Sequence, residues 1–176
     1  MNPLVLSTER LDLWQPAARD HAALIELLGD EEVRRHLAVQ PTDPTAEFNR
    51  LCRNAGSWAL FGYGTFVCRS RGTDTVLGIC GVFHSWRGFA NGLDDTPEIG
   101  WIFARHIWRQ GIASEAAHAA LAWFDAAYPG RRVSCMINET NLASLAIAAK
   151  LGFKRYAEHP EDDVNIILLE RPGTSG

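Results

Sequence analysis

Apolar and polar positions change their period several times along the chain, and each change marks a short element. Alternation over residues 10–14 predicts a first strand. Residues 19–28 and 31–37 read as short amphipathic helices, and residues 45–54 as another after the turn-rich stretch 41–44. Residues 63–69 are strand-like. Residues 76–84 form a clearer strand, with Leu77, Ile79 and Phe83 assigned to one face and Val76, Cys80 and Val82 to the other. Two glycines and paired aspartates make residues 85–96 a loop, long enough to face a substrate. Residues 97–104 return to a strand that contains Gly100, and glycine inside a strand marks a bulge or the close approach of a ligand.

The strongest helix signal covers residues 112–128, where Ile112, Ala116, Ala120, Trp123 and Ala127 fall on one stripe. Pro129 and Gly130 stop it. Val133, Cys135 and Ile137 alternate as a strand. Residues 141–151 form a second helix, with Asn141 suited to the N-cap, Gly152 to the left-handed position past the end, and Phe153 placed to touch Ala148. Residues 154–158 and 164–170 are closing strands. No repeat or linker interrupts residues 1–176, which read as a single domain. The order predicts an α/β (α+β) fold: a mixed, mostly antiparallel central sheet of about seven strands flanked by about four helices.

Composition narrows the partners. The chain has 176 residues, 47% hydrophobic and 22% charged, which is ordinary globular usage. A net charge of -4 gives no reason to expect nucleic acid or an anionic membrane. Cys52, Cys68, Cys80 and Cys135 form no CxxC pair, and no His/Cys cluster has zinc spacing, so no metal is expected. Reduced thiols and an N-terminus unlike a signal peptide suit a cytoplasmic protein. The longest apolar runs are too short to span a bilayer.

Candidate chemistry concentrates where residues 98–103 lead through a short loop into the strongest helix. Gly111 and Ala113 are small, and the first amides of a helix lack internal partners. Amides from Arg109 to Ala113 could therefore hold a pyrophosphate at the positive end of the helix dipole. The plainer reading is a strand-to-helix turn with Gly111 present for geometry. Neither a Walker loop nor a GxGxxG fingerprint is present. Downstream, Asn141 and Ser144 share the first turn of the later helix, where capping alone would explain them.

Together these segments resemble the GNAT superfamily of acetyl-CoA-dependent N-acetyltransferases, in particular the branch of bacterial ribosomal-protein N-terminal acetyltransferases. The opening Thr8-Glu9-Arg10-Leu11-Asp12-Leu13 is similar to that branch's first strand. The family's phosphate loop runs [Q/R]-x-x-G-x-[G/A]; Gly111 and Ala113 match it, and Trp108 takes its first position. The resemblance implies a sheet splayed in the middle and acetyl-CoA as cosubstrate, with no metal. It implies that Trp101, Ile102 and Phe103 pair with pantetheine through their backbone. Trp108, Arg109, Gln110, Gly111, Ile112, Ala113 and Ser114 would then surround the phosphates, with Asn141 and Ser144 near the thioester. Many members carry a Tyr as thiolate acid where this chain has Ala148, and Ser144 is the natural substitute; its alternative is a helix hydroxyl bonded to its own backbone.

Amine acetylation needs a neutral amine, a polarised carbonyl, a held tetrahedral intermediate and a protonated thiolate. A backbone amide between Trp101 and Phe103 could serve the oxyanion. Glu98 is the first candidate base, directly or through water, and its alternative is a structural partner for an arginine such as Arg10. His84 is the second, with a structural role as its alternative. The expected partner is an amine, on a small molecule or a protein N-terminus. An α-amine, titrating near ~8, suits a weak base better than lysine near ~10.4. A homodimer is among the admitted assemblies. The competing readings are a non-catalytic acyl-CoA sensor and an enzyme using another donor such as succinyl-CoA.

Overall fold

The computed structural model describes residues 3–37, 43–88, 91–161 and 163–173. Parts of the expected turn at 41–44 and loop at 85–96 lie outside them. The described residues form eight strands, β1 (Leu4–Ser7), β2 (Leu11–Trp14), β3 (Phe66–Ser70), β4 (Val76–Ser85), β5 (Thr96–Phe103), β6 (Val133–Asn138), β7 (Lys154–Glu161) and β8 (Val164–Arg171). Five helices accompany them: α1 (His21–Gly29), α2 (Glu31–Arg34), α3 (Pro44–Phe61), α4 (Ile112–Ala127) and α5 (Leu142–Lys150). The strands make one sheet in the order β1-β2-β3-β4-β5-β6-β8-β7. Neighbours are antiparallel except β5 and β6, which run parallel and share a single registered pair, Glu98 opposite Ser134. Beyond that pair they part, so the sheet is splayed in the middle.

Two apolar layers cover the sheet. On one face the alanine-rich α4 lies close to β4 and β5, with Ala116, Ala120 and Phe124 in one cluster with Phe66, Cys80, Val82 and Ile99. On the other, Leu24, Leu28, Val33 and Leu51 of α1 to α3 cluster with Val67 and Ile79. Cys68, Cys80 and Cys135 are buried, and burial pushes their thiols far up, whereas Cys52 on α3 is exposed. No helix among the described residues is long and apolar enough to cross a membrane.

Local rules account for the helix ends. Asp43 accepts from the Ala46 amide at 2.7 Å ahead of Pro44, and Gly62 ends α3 in the left-handed region at φ 77°. Past α5, the Phe153 amide donates to Ala148 O and the Gly152 amide to Ala149 O, with Gly152 at φ 83°, which is a Schellman motif.

Several elements differ from the sequence reading, each for a tertiary reason. β1 is an added edge strand whose four residues pair only with β2. α3 runs on to Phe61 because Ser57 Oγ donates to Tyr63 O and Trp58 Nε1 to Thr65 O, contacts that outweigh the helix cost of Gly56. α2 is a single turn, held by Arg34 donating to Leu28 O and Gly29 O. Leu77 does not share the face of Ile79: the register slips between Cys68–Gly78 and Arg69–Val76, and this bulge sends Leu77 to the α4 side and Val76 to the other. The buried stripe of α4 includes Ala117, Leu121 and Phe124, while Ala127 is exposed.

The N-terminal segment fixes α4 in place. Thr8 Oγ1 donates to Glu115 Oε1 at 2.5 Å, the Arg10 amide to the same oxygen at 3.0 Å, and Arg10 Nε to Oε2 at 2.6 Å. Arg10 Nη1 also donates to Gln110 O at 2.8 Å, in the loop ahead of the helix. Burial pushes the Glu115 carboxyl up, but the bonds from Thr8 and Arg10 outweigh it and leave its pKa below the usual value.

A carboxyl with a lowered folded pKa contributes stability above its unfolded value of about 4.3 and loses it as pH falls through the folded one. The parent should therefore be more stable than Glu115→Gln at pH 7, and the gap should shrink on acidification. Urea unfolding at neutral and acid pH measures this, and a gap independent of pH would show that the charge is not what holds the joint. A Cβ on Gly81 would lie 2.6 Å from Gly64 O and 2.9 Å from Thr65 Cα, so Gly81→Ala should cost about 1–3 kcal/mol in the same assay.

Candidate active site

Strand divergence exposes backbone. The Ala104 amide donates to Leu77 O, so alternation turns the backbone groups of Trp101 and Phe103 away from β4 and into the gap left by β6. Phe103 O is taken there by Trp108 Nε1 at 2.8 Å. The amide and carbonyl of Trp101 and the amide of Phe103 face the gap with no strand opposite them. An extended ligand carrying amides could complete this edge as a further strand would.

The loop above the gap is shaped for an anion. Arg109 at φ 61° and Gly111 at φ 79° are both left-handed, around a Gln110 that is not. Such alternation turns successive amides toward one point, a nest for anions. A non-glycine residue held in that region carries strain, which recurs at functional loops. Helical bonding starts with the Glu115 amide to Gly111 O, so the amides ahead of it point out of the helix end.

Nest and gap belong to one cleft of about 650 Å³. It gathers Trp101, Ile102, Phe103, Trp108, Arg109, Gly111, Ile112, Ala113, Ser114, Asn141 and Ser144. Gln110 is not among its walls; its side chain turns back to donate to His106 O at 3.0 Å. Asn141 caps α5, its Oδ1 accepting from the Ser144 amide at 3.1 Å. Ser144 Oγ accepts from Trp101 Nε1 at 3.1 Å. That bond uses a lone pair of Ser144 and leaves its O–H free to donate.

One wall had no signal in the sequence. Val33, Arg35, His36 and Leu37, at and just past α2, line the cleft opposite α5. Thr140 Oγ1 donates to Asn138 Oδ1 at 2.7 Å and lies 3.2 Å from His36 Nδ1, so α2 reaches the loop before α5 across the gap. Arg35, Arg109 and Lys150 bring positive charge to the cleft.

Glu98 and His84 do not line this cleft. Glu98 is buried at the point where the strands part. Its Oε2 accepts from Ser85 Oγ at 2.6 Å and Arg87 Nε at 3.0 Å, and its Oε1 accepts from Arg87 Nη2 at 2.6 Å. Its arginine is Arg87; Arg10, the partner considered from the sequence, is committed to Glu115. His84 lies one register step away, opposite Pro97. Its Nε2 is 3.0 Å from Asp95 Oδ1, its Nδ1 is 3.0 Å from the Tyr63 hydroxyl, and its ring stacks on Phe61. Burial raises the Tyr63 pKa. Asp95 itself sits at φ 57°. Ala148 is fully buried.

Comparison with known proteins agrees with this geometry. The family model described as "Acetyltransferase (GNAT) domain" matches residues 10–154. A Bacillus subtilis protein, YkkB, is 30% identical over 150 residues, covering 84% of this chain and 83% of its own. A Bacillus licheniformis protein named as an N-acetyltransferase, p20, is 24% identical over 151 residues, covering 85% and 82%. Among solved structures, a putative GNAT-family acetyltransferase from Bordetella pertussis superposes with TM-score 0.86 at 30% identity, over 96% of this chain and 99% of that one. RimL, a ribosomal-protein alpha-N-acetyltransferase solved with coenzyme A, shares the fold at TM-score 0.79 and 15% identity, over 99% and 100% of the two chains. The splayed sheet, the phosphate-type loop and the matched domain agree: this chain belongs to the GNAT family and is an acetyltransferase.

Proposed function

We propose that the protein transfers an acetyl group from acetyl-CoA to a primary amine, of a protein N-terminus or a small molecule, by direct attack in a ternary complex. One observation carries this reading: the unpartnered backbone of Trp101 and the free hydroxyl of Ser144 face one gap, below a nest of amides at Arg109 to Gly111. The nest and the first amides of α4 suit a pyrophosphate. The β5 edge suits the amides of a pantetheine arm. An amide of that edge would stabilise the charge that develops on the carbonyl oxygen during attack. Ser144, oriented by Trp101, would donate to the departing sulfur.

The acceptor proton needs a base at the point where the strands part. Glu98 stands there, and its three accepted bonds leave one lone-pair site on Oε1. Both ring nitrogens of His84 are engaged with other groups. Glu98, acting directly or through water, is therefore the assigned proton acceptor. An α-amine asks least of it, because freeing that amine at pH 7 costs about 1 kcal/mol.

A ligand that binds only the folded state raises its stability with concentration. Acetyl-CoA should raise the melting temperature progressively into the millimolar range, and Gly111→Val should remove most of the shift. A Cβ at Gly111 would enter the left-handed region and lie 3.4 Å from Arg10 Nη2, disturbing the nest directly. A full shift in a folded variant would place the phosphates elsewhere.

Ser144→Ala should lower kcat by about 100-fold while leaving KM for acetyl-CoA nearly unchanged, as expected for a lost acid. Steady-state rates at saturating substrates decide it. Retention of full kcat would return Ser144 to supporting Trp101.

A further inference from the structure

Arg10 lies behind the loop that carries the nest. Its Nη1 donates to Gln110 O at 2.8 Å and its Nε to Glu115 Oε2 at 2.6 Å. Arg109 and Gly111, on either side of Gln110, are walls of the cleft, and Arg10 is not. A Cβ built on Gly111 would lie 3.4 Å from Arg10 Nη2, so the guanidinium fills the space at the back of that residue.

These contacts fix the direction of one amide. A planar trans peptide aims its C=O and its N–H in opposite directions. With Gln110 O held toward Arg10, the Gly111 N–H turns away from Arg10, to the side where Gly111 lines the cleft. The far end of Gly111 is held by α4, because the Glu115 amide donates to Gly111 O at 3.0 Å. Release of Gln110 O would let its peptide turn over and present a carbonyl oxygen, in place of an amide, to an anion. Glycine at position 111 makes that turn easy, since it takes either sign of φ at little cost.

Arg10 is itself anchored. Its carbonyl accepts from the Arg71 amide at 2.9 Å, and Arg71 Nη1 donates to Thr8 O at 2.8 Å. Its own amide donates to Glu115 Oε1 at 3.0 Å. The segment is thus tied to the end of β3 on one side and to the first turn of α4 on the other. The Arg10–Glu115 pair carries no net charge, so what it offers an anion is direction and not attraction.

We propose that Arg10 is a positioning residue for the donor: by holding Gln110 O it keeps the Gly111 amide aimed at the diphosphate of acetyl-CoA, which Arg10 itself does not touch. This rests on the acetyl-transfer reading above. It makes the N-terminal segment a determinant of selectivity for donors that carry a diphosphate over shorter thioesters with the same arm.

The test is calorimetric titration with acetyl-CoA and with S-acetylpantetheine, which has the same arm and thioester but no diphosphate or nucleotide. It compares the parent, Arg10→Gln, and the double variant Arg10→Gln with Glu115→Gln. Arg10→Gln should raise Kd for acetyl-CoA by about 10-fold or more, the scale of one lost hydrogen bond to a charged group. Its Kd for S-acetylpantetheine should stay at the parental value. The double variant restores local neutrality but not the hold on Gln110 O, so it should bind acetyl-CoA as weakly as Arg10→Gln. Should Arg10→Gln not fold, Arg10→Lys takes its place. An ammonium lacks the fork that reaches two acceptors at once, and a smaller loss, again confined to acetyl-CoA, is expected. An unchanged Kd for acetyl-CoA, an equal loss with both donors, or full recovery in the double variant overturns the proposal. If the parent does not bind acetyl-CoA, the acetyl-transfer reading itself fails. If parent and Arg10→Gln bind it alike, only the role of Arg10 fails.

Discussion

A buried backbone edge must find hydrogen-bond partners, and this sheet leaves one without them at its centre. β5 and β6 meet at Glu98 and Ser134 and then separate, because β6 follows β8 along its whole length while β5 follows β4. The two halves of the sheet thus keep their own partners and share one contact. Side chains hold the opening: Trp101 reaches across to Ser144 on α5, and Trp108 satisfies the last carbonyl of β5. What would be a defect in a closed sheet becomes the place where a ligand can complete the pairing.

The other half of the site depends on where α4 begins. Its loop contains two left-handed residues, a conformation that disfavours Arg109 and that only surrounding contacts can hold. Arg10 supplies one, binding Gln110 O and Glu115 at once, and Thr8 adds a second bond to that carboxylate. The N-terminal strand segment is therefore a brace for the anion nest, although it contributes no wall to the cleft.

Elements governed by their own residues were legible in the sequence. Asn141, Gly152 and Phe153 define α5 because capping is local, and the loop around Gly111 stands out because its small residues sit directly ahead of the strongest helix signal. The splay itself was legible only through resemblance. What escaped was set at a distance. Nothing near Leu77 announces the bulge that reverses its face, since the slip belongs to its pairing with β3. Arg10 and Glu98 are both candidates for an ion pair on charge alone, and the fold gives each a different partner. The α2 wall was read only as an amphipathic helix; its use depends on crossing to Thr140, more than a hundred residues away.

Three of the four thiols are sealed within the sheet, where burial holds them protonated, and Cys52 alone is exposed. Any turnover that liberates coenzyme A also liberates a sulfhydryl into solution. A disulfide dye added to a reaction would then meet a protein background of one reactive sulfur per folded chain, and replacing that residue by serine would leave a nearly silent enzyme. The same dye would report unfolding, because the three hidden sulfurs become countable only when the sheet comes apart.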